Sequence, residues 1–183
     1  VAVLQARGLK ASTVNHRVAA LKTFFRFLFA EGYIQTDLTL RLPTPKMGKR
    51  LPRALSVDEV VALLAALDED TSLIGSRDKV LFYVMYTCGL RVGEAVALRV
   101  EDIDFEDSSL RVIGKGNRER RVYLKPPIVD LLRKHIPAGR REGYLFPGGH
   151  TEHLATGTVG NRLKVYVKKA GIKRKVTPHT LRH

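Results

Sequence analysis

The sequence predicts an α+β fold that is mostly helical, with a small antiparallel β-hairpin or sheet. Apolar residues recur at helical spacing through most of the chain, while period-two alternation is confined to residues 109–124. A basic, proline-rich stretch over 42–53 separates an N-terminal helical segment from the remainder. The expected organisation is therefore a helical piece over 1–45, a linker over 46–54 and a larger domain over 55–183.

The first helix is predicted over 12–31. Ser12 or Thr13 caps it, Val14, Val18, Leu21, Phe25 and Leu28 share a face, and Gly32 ends it. Phe24, Phe27 and Phe29 widen that stripe beyond what one exposed helix needs, so the helix is expected to pack in a bundle whose other members are scarce here. Aromatics interleaved with His16, Arg17, Lys22 and Arg26 also fit base stacking, but a phenylalanine stripe at this spacing reads first as core. The next stretch, Leu42 to Arg53, holds three prolines and four basic residues, a spacing no helix or central strand survives. Lys46, Lys49, Arg50 and Arg53 suit a linker lying along a phosphate backbone, and equally a plain solvated linker.

Ser56-Val57-Asp58-Glu59 is a capping box that opens a helix with Val60, Val61, Leu63, Leu64 and Leu67 as its apolar positions. A second helix is predicted from near Ser76 to Cys88, closed by Gly89. A short third helix restarts at once, with Val92, Ala95 and Val96 on one face and Arg91 and Glu94 as neighbours at its edge. An arginine held by a carboxylate where backbone, core and solvent meet suits a phosphate; taken alone, the pair also fits a solvated surface ion pair.

Ser109–Ile113 and residues 118–124 then read as two strands around the turn Gly114-Lys115-Gly116-Asn117. Lys115 stands at its tip. The spacing of a nucleotide-binding loop is absent and no helix follows, so by itself Lys115 reads as a turn residue. Pro126 and Pro127 open a helix carrying Ile128, Leu131, Leu132 and His135, and Tyr144-Leu145-Phe146-Pro147 reads as a short buried segment. Another helix is predicted over 157–170, with Val159, Leu163, Val165, Tyr166 and Val167 apolar and Gly171 as its stop. Thr177 as cap and Pro178 as first residue open a last helix, on which His179 and Arg182 share a face.

Bulk properties narrow the partners. The 32 Lys and Arg against 18 Asp and Glu give a net charge of +14, the balance of a protein that meets a polyanion. No helix pairs a bulky aromatic face with low polarity, which ranks nucleic acid above a lipid surface. No run approaches the ~18 apolar residues of a membrane span and no secretory leader pattern opens the chain, so the expected location is cytoplasmic. The lone Cys88 forms no intrachain disulfide. His179 and His183 have the i, i+4 spacing of a metal pair and His150 and His153 lie in a loop, but Cys partners are lacking and no glutamate follows His179; no metal is expected.

Four features now stand in order: Thr-Cys-Gly-Leu-Arg-Val-Gly-Glu running on to Val-Glu-Asp-Ile-Asp, the Val-Ile-Gly-Lys-Gly-Asn-Arg-Glu-Arg hairpin, Leu-Phe-Pro, and Thr-Pro-His-Thr-Leu-Arg-His. The set resembles the tyrosine recombinase (phage integrase) family, the Xer-type enzymes most closely. The resemblance implies that residues up to about 45 are the second half of a helical, SAM-like core-binding domain that clamps DNA, and that 55–183 are a mixed α/β catalytic domain. It also implies that Arg91 and Arg182 hold the non-bridging oxygens of the scissile phosphate, a task suited to preorganised, always-protonated donors. Lys115 is then the general acid for the departing 5′-hydroxyl, His179 assists proton transfer at the nucleophile, and Glu94 supports Arg91. Arg118 and Arg120, on the hairpin, join the linker cations as expected DNA contacts.

No metal or high-energy cofactor is implied, because a 3′-phosphotyrosine link preserves the phosphodiester energy. The family's nucleophilic tyrosine and final helix follow the second arginine, whereas the tyrosines here are Tyr33, Tyr83, Tyr86, Tyr123, Tyr144 and Tyr166. The expectation is therefore a recombinase fragment, cut at both ends, that binds double-stranded DNA without cleaving it. Self-association into a synaptic tetramer is implied for the full-length family rather than for this length of chain. A non-catalytic DNA-binding or regulatory protein of the same fold is the alternative.

Overall fold

The computed structural model describes residues 6–44, 54–114, 116–149 and 151–182. The chain divides into two compact units, Val1–Leu51 and Pro52–His183.

The first unit is built on α1 (Ala11–Ala30). Its cap is Lys10 rather than Ser12 or Thr13, and no side chain caps it; the Lys10 carbonyl itself accepts from the N–H groups of Thr13 and Val14. Gly32, at φ +75°, closes the helix, with the Tyr33 N–H returning to the Leu28 carbonyl at 2.9 Å, as a left-handed C-terminal cap requires. Val14 and Val18 are buried and Phe25 and Leu28 partly so, whereas Leu21, Phe24, Phe27 and Phe29 are each about half exposed, so half of the predicted stripe is open within this unit. The linker cations Lys46, Lys49, Arg50 and Arg53 lie outside the described residues.

The second unit runs α2 (Val57–Asp68), α3 (Leu73–Thr87), α4 (Val92–Val96), β1 (Ile103–Asp104), β2 (Ser109–Ile113), β3 (Glu119–Tyr123), α5 (Pro126–His135) and α6 (Thr156–Lys169). A 3₁₀ turn over Val100–Asp102 precedes β1, and another over Thr180–Arg182 follows α6. The strands form one antiparallel sheet in the order β1-β2-β3, with Leu110 opposite Val122 and Val112 opposite Arg120. Leu110 and Val112 point into a core shared with Leu81, Val84, Met85, Leu90 and Leu163, all with essentially no exposure. Leu145 and Phe146 are buried in it too, through the bridge of Tyr144 to Arg99.

The starts of α2 and α3 follow cap chemistry. The Ser56 hydroxyl accepts from the Glu59 N–H and Glu59 accepts from the Ser56 N–H, the reciprocal box read from the sequence. Glu59 is also gripped by Arg174, whose guanidinium donates at 2.8 and 2.6 Å and reaches the Ala54 carbonyl as well. That grip, aided by the Ser56 N–H, holds the Glu59 carboxyl down at about 2. It ties the segment leading to His179 against the beginning of α2.

Helix α3 starts at Leu73, three residues before the predicted Ser76, because Ser72 caps it. The Ser72 Oγ accepts from the Gly75 N–H at 2.9 Å and donates to Asp70 at 2.7 Å. Ser72→Ala is expected to lower stability by about 1 kcal/mol, read from a urea melt of the whole chain. Three further details depart from the sequence reading. The two-residue β1 was not predicted, Val165 is turned outward, and the last segment is a 3₁₀ turn over 180–182 rather than a helix from Pro178. In that turn the Thr180 hydroxyl takes the Thr177 N–H and the Thr180 N–H returns to the Thr177 carbonyl, the i→i+3 pairing of a 3₁₀ turn.

Candidate functional site

Gly89, at φ +60°, ends α3, and the chain turns straight into α4 with Arg91 as its N-cap residue. Three residues on, Glu94 folds back: its Oε2 accepts the Arg91 backbone N–H and its Oε1 accepts Nη1 of the Arg91 guanidinium, both at 2.8 Å. The local sequence therefore builds a capping box in which a carboxylate at the third helical position holds both the backbone and the side chain of the residue that opens the helix.

Glu94 is only 7% exposed, so this is no solvated surface pair. A second guanidinium completes it. Arg120, on β3, donates Nη1 to Oε1 at 3.0 Å and Nη2 to Oε2 at 2.8 Å, the two-point fork of arginine on carboxylate. Arg120 is the largest cause that holds the Glu94 carboxyl at about 2, with the Arg91 backbone and side chain adding and burial opposing. The anion is fixed as an anion, and Arg91 is fixed by it. The Arg91 side chain remains half exposed, with donors that Glu94 does not use turned outward.

Arg91 borders a cavity of about 490 Å³. Arg91 to Glu94 form one side, Ile113 and Gly114 of the hairpin another, and His179 a third. Residues from three distant stretches thus meet around one concavity. His179 is exposed on its wall. Arg182 stands three residues further on, half-buried in the closing 3₁₀ turn, and is not part of this lining. Its neighbour Leu181 is buried in the core and anchors that turn.

Lys115 lies outside the described residues, between Gly114 and Gly116 of the hairpin turn. The turn itself is closed by the Gly114 N–H to the Arg118 carbonyl at 2.8 Å, with Gly116 and Asn117 both at positive φ. Arg118 is exposed. Arg120, expected as a DNA contact, turns its fork to Glu94; strand parity explains the direction, because Arg120 shares its face with Val122, and Val122 packs on the core. That parity was the signal in the sequence. Among the described residues no group of three or more His, Cys, Asp or Glu is arranged to hold a metal, and no helix is long and apolar enough to cross a membrane.

The model of the phage integrase family matches residues 53–183. Tyrosine recombinase XerD of Lacticaseibacillus casei is 36% identical over 179 residues, covering 94% of this chain and 61% of that protein. Tyrosine recombinase XerC of Chromobacterium violaceum is 37% identical over 186 residues, covering all of this chain and 62% of that protein. The chain therefore spans about 61% of the length of the curated relatives it matches. Among solved structures, XerA recombinase aligns with a TM-score of 0.63 at 28% identity, over 99% of this chain and 62% of that one. XerH site-specific recombinase, bound to its palindromic difH substrate, aligns with a TM-score of 0.77 at 23% identity, over 96% and 55%, which speaks for the fold. With a family model matched over most of its length and Xer relatives along nearly all of it, the chain belongs to the phage integrase family as a Xer-like tyrosine recombinase.

Proposed function

We propose that this chain binds double-stranded DNA in the cytoplasm and holds one backbone phosphate in the cavity between Arg91, His179 and the hairpin. The observation that carries this is the shared concavity itself: a guanidinium immobilised by a buried carboxylate, an imidazole and a glycine-flanked turn open onto one space. A net charge of +14 supplies the long-range attraction to duplex, and the difH complex of XerH supports the substrate class.

In the proposed reaction of the full-length gene product, site-specific recombination, Arg91 and Arg182 donate to the non-bridging oxygens and stabilise the charge that grows on phosphorus. A tyrosine oxygen bonds to phosphorus as the bond to the 5′-oxygen breaks. His179 accepts the phenolic proton and Lys115 supplies one to the departing oxygen, so protons balance across the step. The six tyrosines of these 183 residues all precede His179, and none stands in the nucleophile's motif. The residues in hand are thus assigned to holding and polarising the phosphate. Lys46, Lys49, Arg50, Arg53 and Arg118 are proposed as contacts to flanking phosphates.

Binding to duplex across a salt series tests the proposal. If about 6 phosphates are neutralised, log K falls with log salt at a slope of about −5. Arg91→Ala is expected to reduce the slope by about one while leaving the fold intact. A slope near zero would end the DNA reading. A covalent complex trapped on a nicked duplex by the full-length gene product is the matching test of the recombination step, and its absence counts for the non-catalytic alternative.

A further inference from the structure

The β-hairpin is attached to its unit unevenly. Its base is paired to β1 at Ile103–Leu110 and Asp104–Ser109 and packed through Leu110 and Val112. Beyond Val112 no described residue of the tip is buried: Gly114 is half-buried, residues 116–119 are exposed, and Gly116 and Asn117 sit at positive φ. A two-stranded ribbon that projects past its core contacts is free to bend unless something holds its far end.

Arg120 does hold it. Opposite Val112 in the register, it faces the core side of the sheet at the point where apolar packing gives out, and its fork closes on Glu94. Neighbouring arginines do otherwise: Arg118 is exposed, and Arg121, on the outer face, pairs with Asp107 at 2.8 Å. Gly114 lies against the same carboxylate, since a Cβ there would stand 3.4 Å from Glu94 Oε1 and 3.5 Å from Arg120 Nη1. One buried anion therefore holds the start of α4 through Arg91 and the inward face of β3 through Arg120, with Gly114 of the turn close by.

We infer that Arg120 is a positioning residue: by its two-point grip on Glu94 it latches the tip of the hairpin to Arg91, so that the two sides of the cavity meet a phosphate at a fixed separation. This rests on the phosphate-holding function proposed above. It also assigns the fork geometry, not charge alone, as the requirement. A lysine keeps the charge but makes a single-point contact, which leaves the tip able to pivot.

The test uses the whole 183-residue chain, isotopically labelled, as wild type, Arg120→Gln, Arg120→Lys and Arg121→Gln. Amide exchange is read first. The Gly114 amide is expected to exchange at least about tenfold faster in both Arg120 variants, with amides of α3 unchanged and Arg121→Gln like wild type. Amide shifts are then followed as a nicked duplex of about 30 base pairs is titrated in. In wild type, Gly93 and Gly114 are expected to move with one midpoint; in both Arg120 variants Gly93 still moves and Gly114 no longer follows it. Unchanged exchange at Gly114 in Arg120→Gln overturns the latch. So does rescue by Arg120→Lys, or a loosening that includes α3, since either marks plain charge or plain stability. If duplex moves neither glycine in wild type, the phosphate-holding function fails instead, and the exchange arm still decides the latch.

Discussion

Asp78→Ala is expected to destabilise the second unit by about 3–5 kcal/mol, the cost of leaving buried cations without their anion. Asp78 has no exposure at all. Its Oδ1 takes Nε and Nη2 of Arg77 at 3.1 and 2.7 Å, and its Oδ2 takes Nε of Arg162. Arg162 also donates to the Tyr166 hydroxyl at 2.9 Å, and that hydroxyl lies 2.9 Å from Asp70, so the network spans the loop before α3, α3 itself and α6. Arg77 and Arg162 keep only 22% and 26% side-chain exposure, and neither can turn fully to water when the carboxylate goes. Arg77 would then lose its carboxylate, and Arg162 would keep only Asp70, at 3.7 Å. Asp78→Asn keeps the shape but loses the charge assistance, and should cost about 2 kcal/mol. Urea melts followed by circular dichroism decide this, and the alanine variant should also melt about 10–20 °C lower. A change under about 1 kcal/mol would mean that the network is idle. Because α3 is the stalk on which the Arg91 turn is built, duplex affinity should fall only at temperatures where the unit begins to open.

How much of this was legible beforehand depends on the range of the interaction. The Ser56 box, Gly89 and the Arg91–Glu94 pair are local, three residues apart or fewer, and local chemistry is written in local sequence. The hairpin was equally readable, since Leu110, Val112 and Val122 alternate with polar residues around a glycine turn. The reading groups Arg120 with Arg118 as a DNA contact, although the parity that turns Val122 inward turns Arg120 inward too. What made an inward arginine tolerable was Glu94, 26 residues earlier, and no pattern within one element reports that. The start of α3 was misplaced for a related reason: Ser72 and Ser76 are both competent caps, and Asp70, which orients the Ser72 hydroxyl, decides between them. The final turn failed differently. Thr177 and Pro178 do mark its start, but the Thr180 N–H pairs with the Thr177 carbonyl, the i→i+3 bond of a 3₁₀ turn.

The buried Glu94 makes the site acid-sensitive, and the sign can be worked out. Its carboxyl is held at about 2 in the folded chain, below its ordinary value of 4.5, so folding favours the ionised form. The stabilisation is complete above about pH 4.5 and is lost as pH falls through the folded value. A shift of that size corresponds to about 3 kcal/mol, reduced to about 2 because Arg91 and Arg120 are themselves partly solvated. Glu59 and Asp70 are also held near 2 and contribute to acid unfolding in the same window, so the wild-type profile alone cannot isolate Glu94. The difference between wild type and Glu94→Gln can. At pH 7 the variant should be less stable by about 2 kcal/mol, since an amide oxygen replaces a carboxylate between two guanidinium groups. Near pH 2 the gap should close, because the wild-type side chain is then substantially protonated as well. Paired urea melts from pH 7 down to about 2 measure this gap directly. A gap that stays constant with pH would show that Glu94 acts through packing alone, and the account of Arg91 as an electrostatically held donor would fall with it.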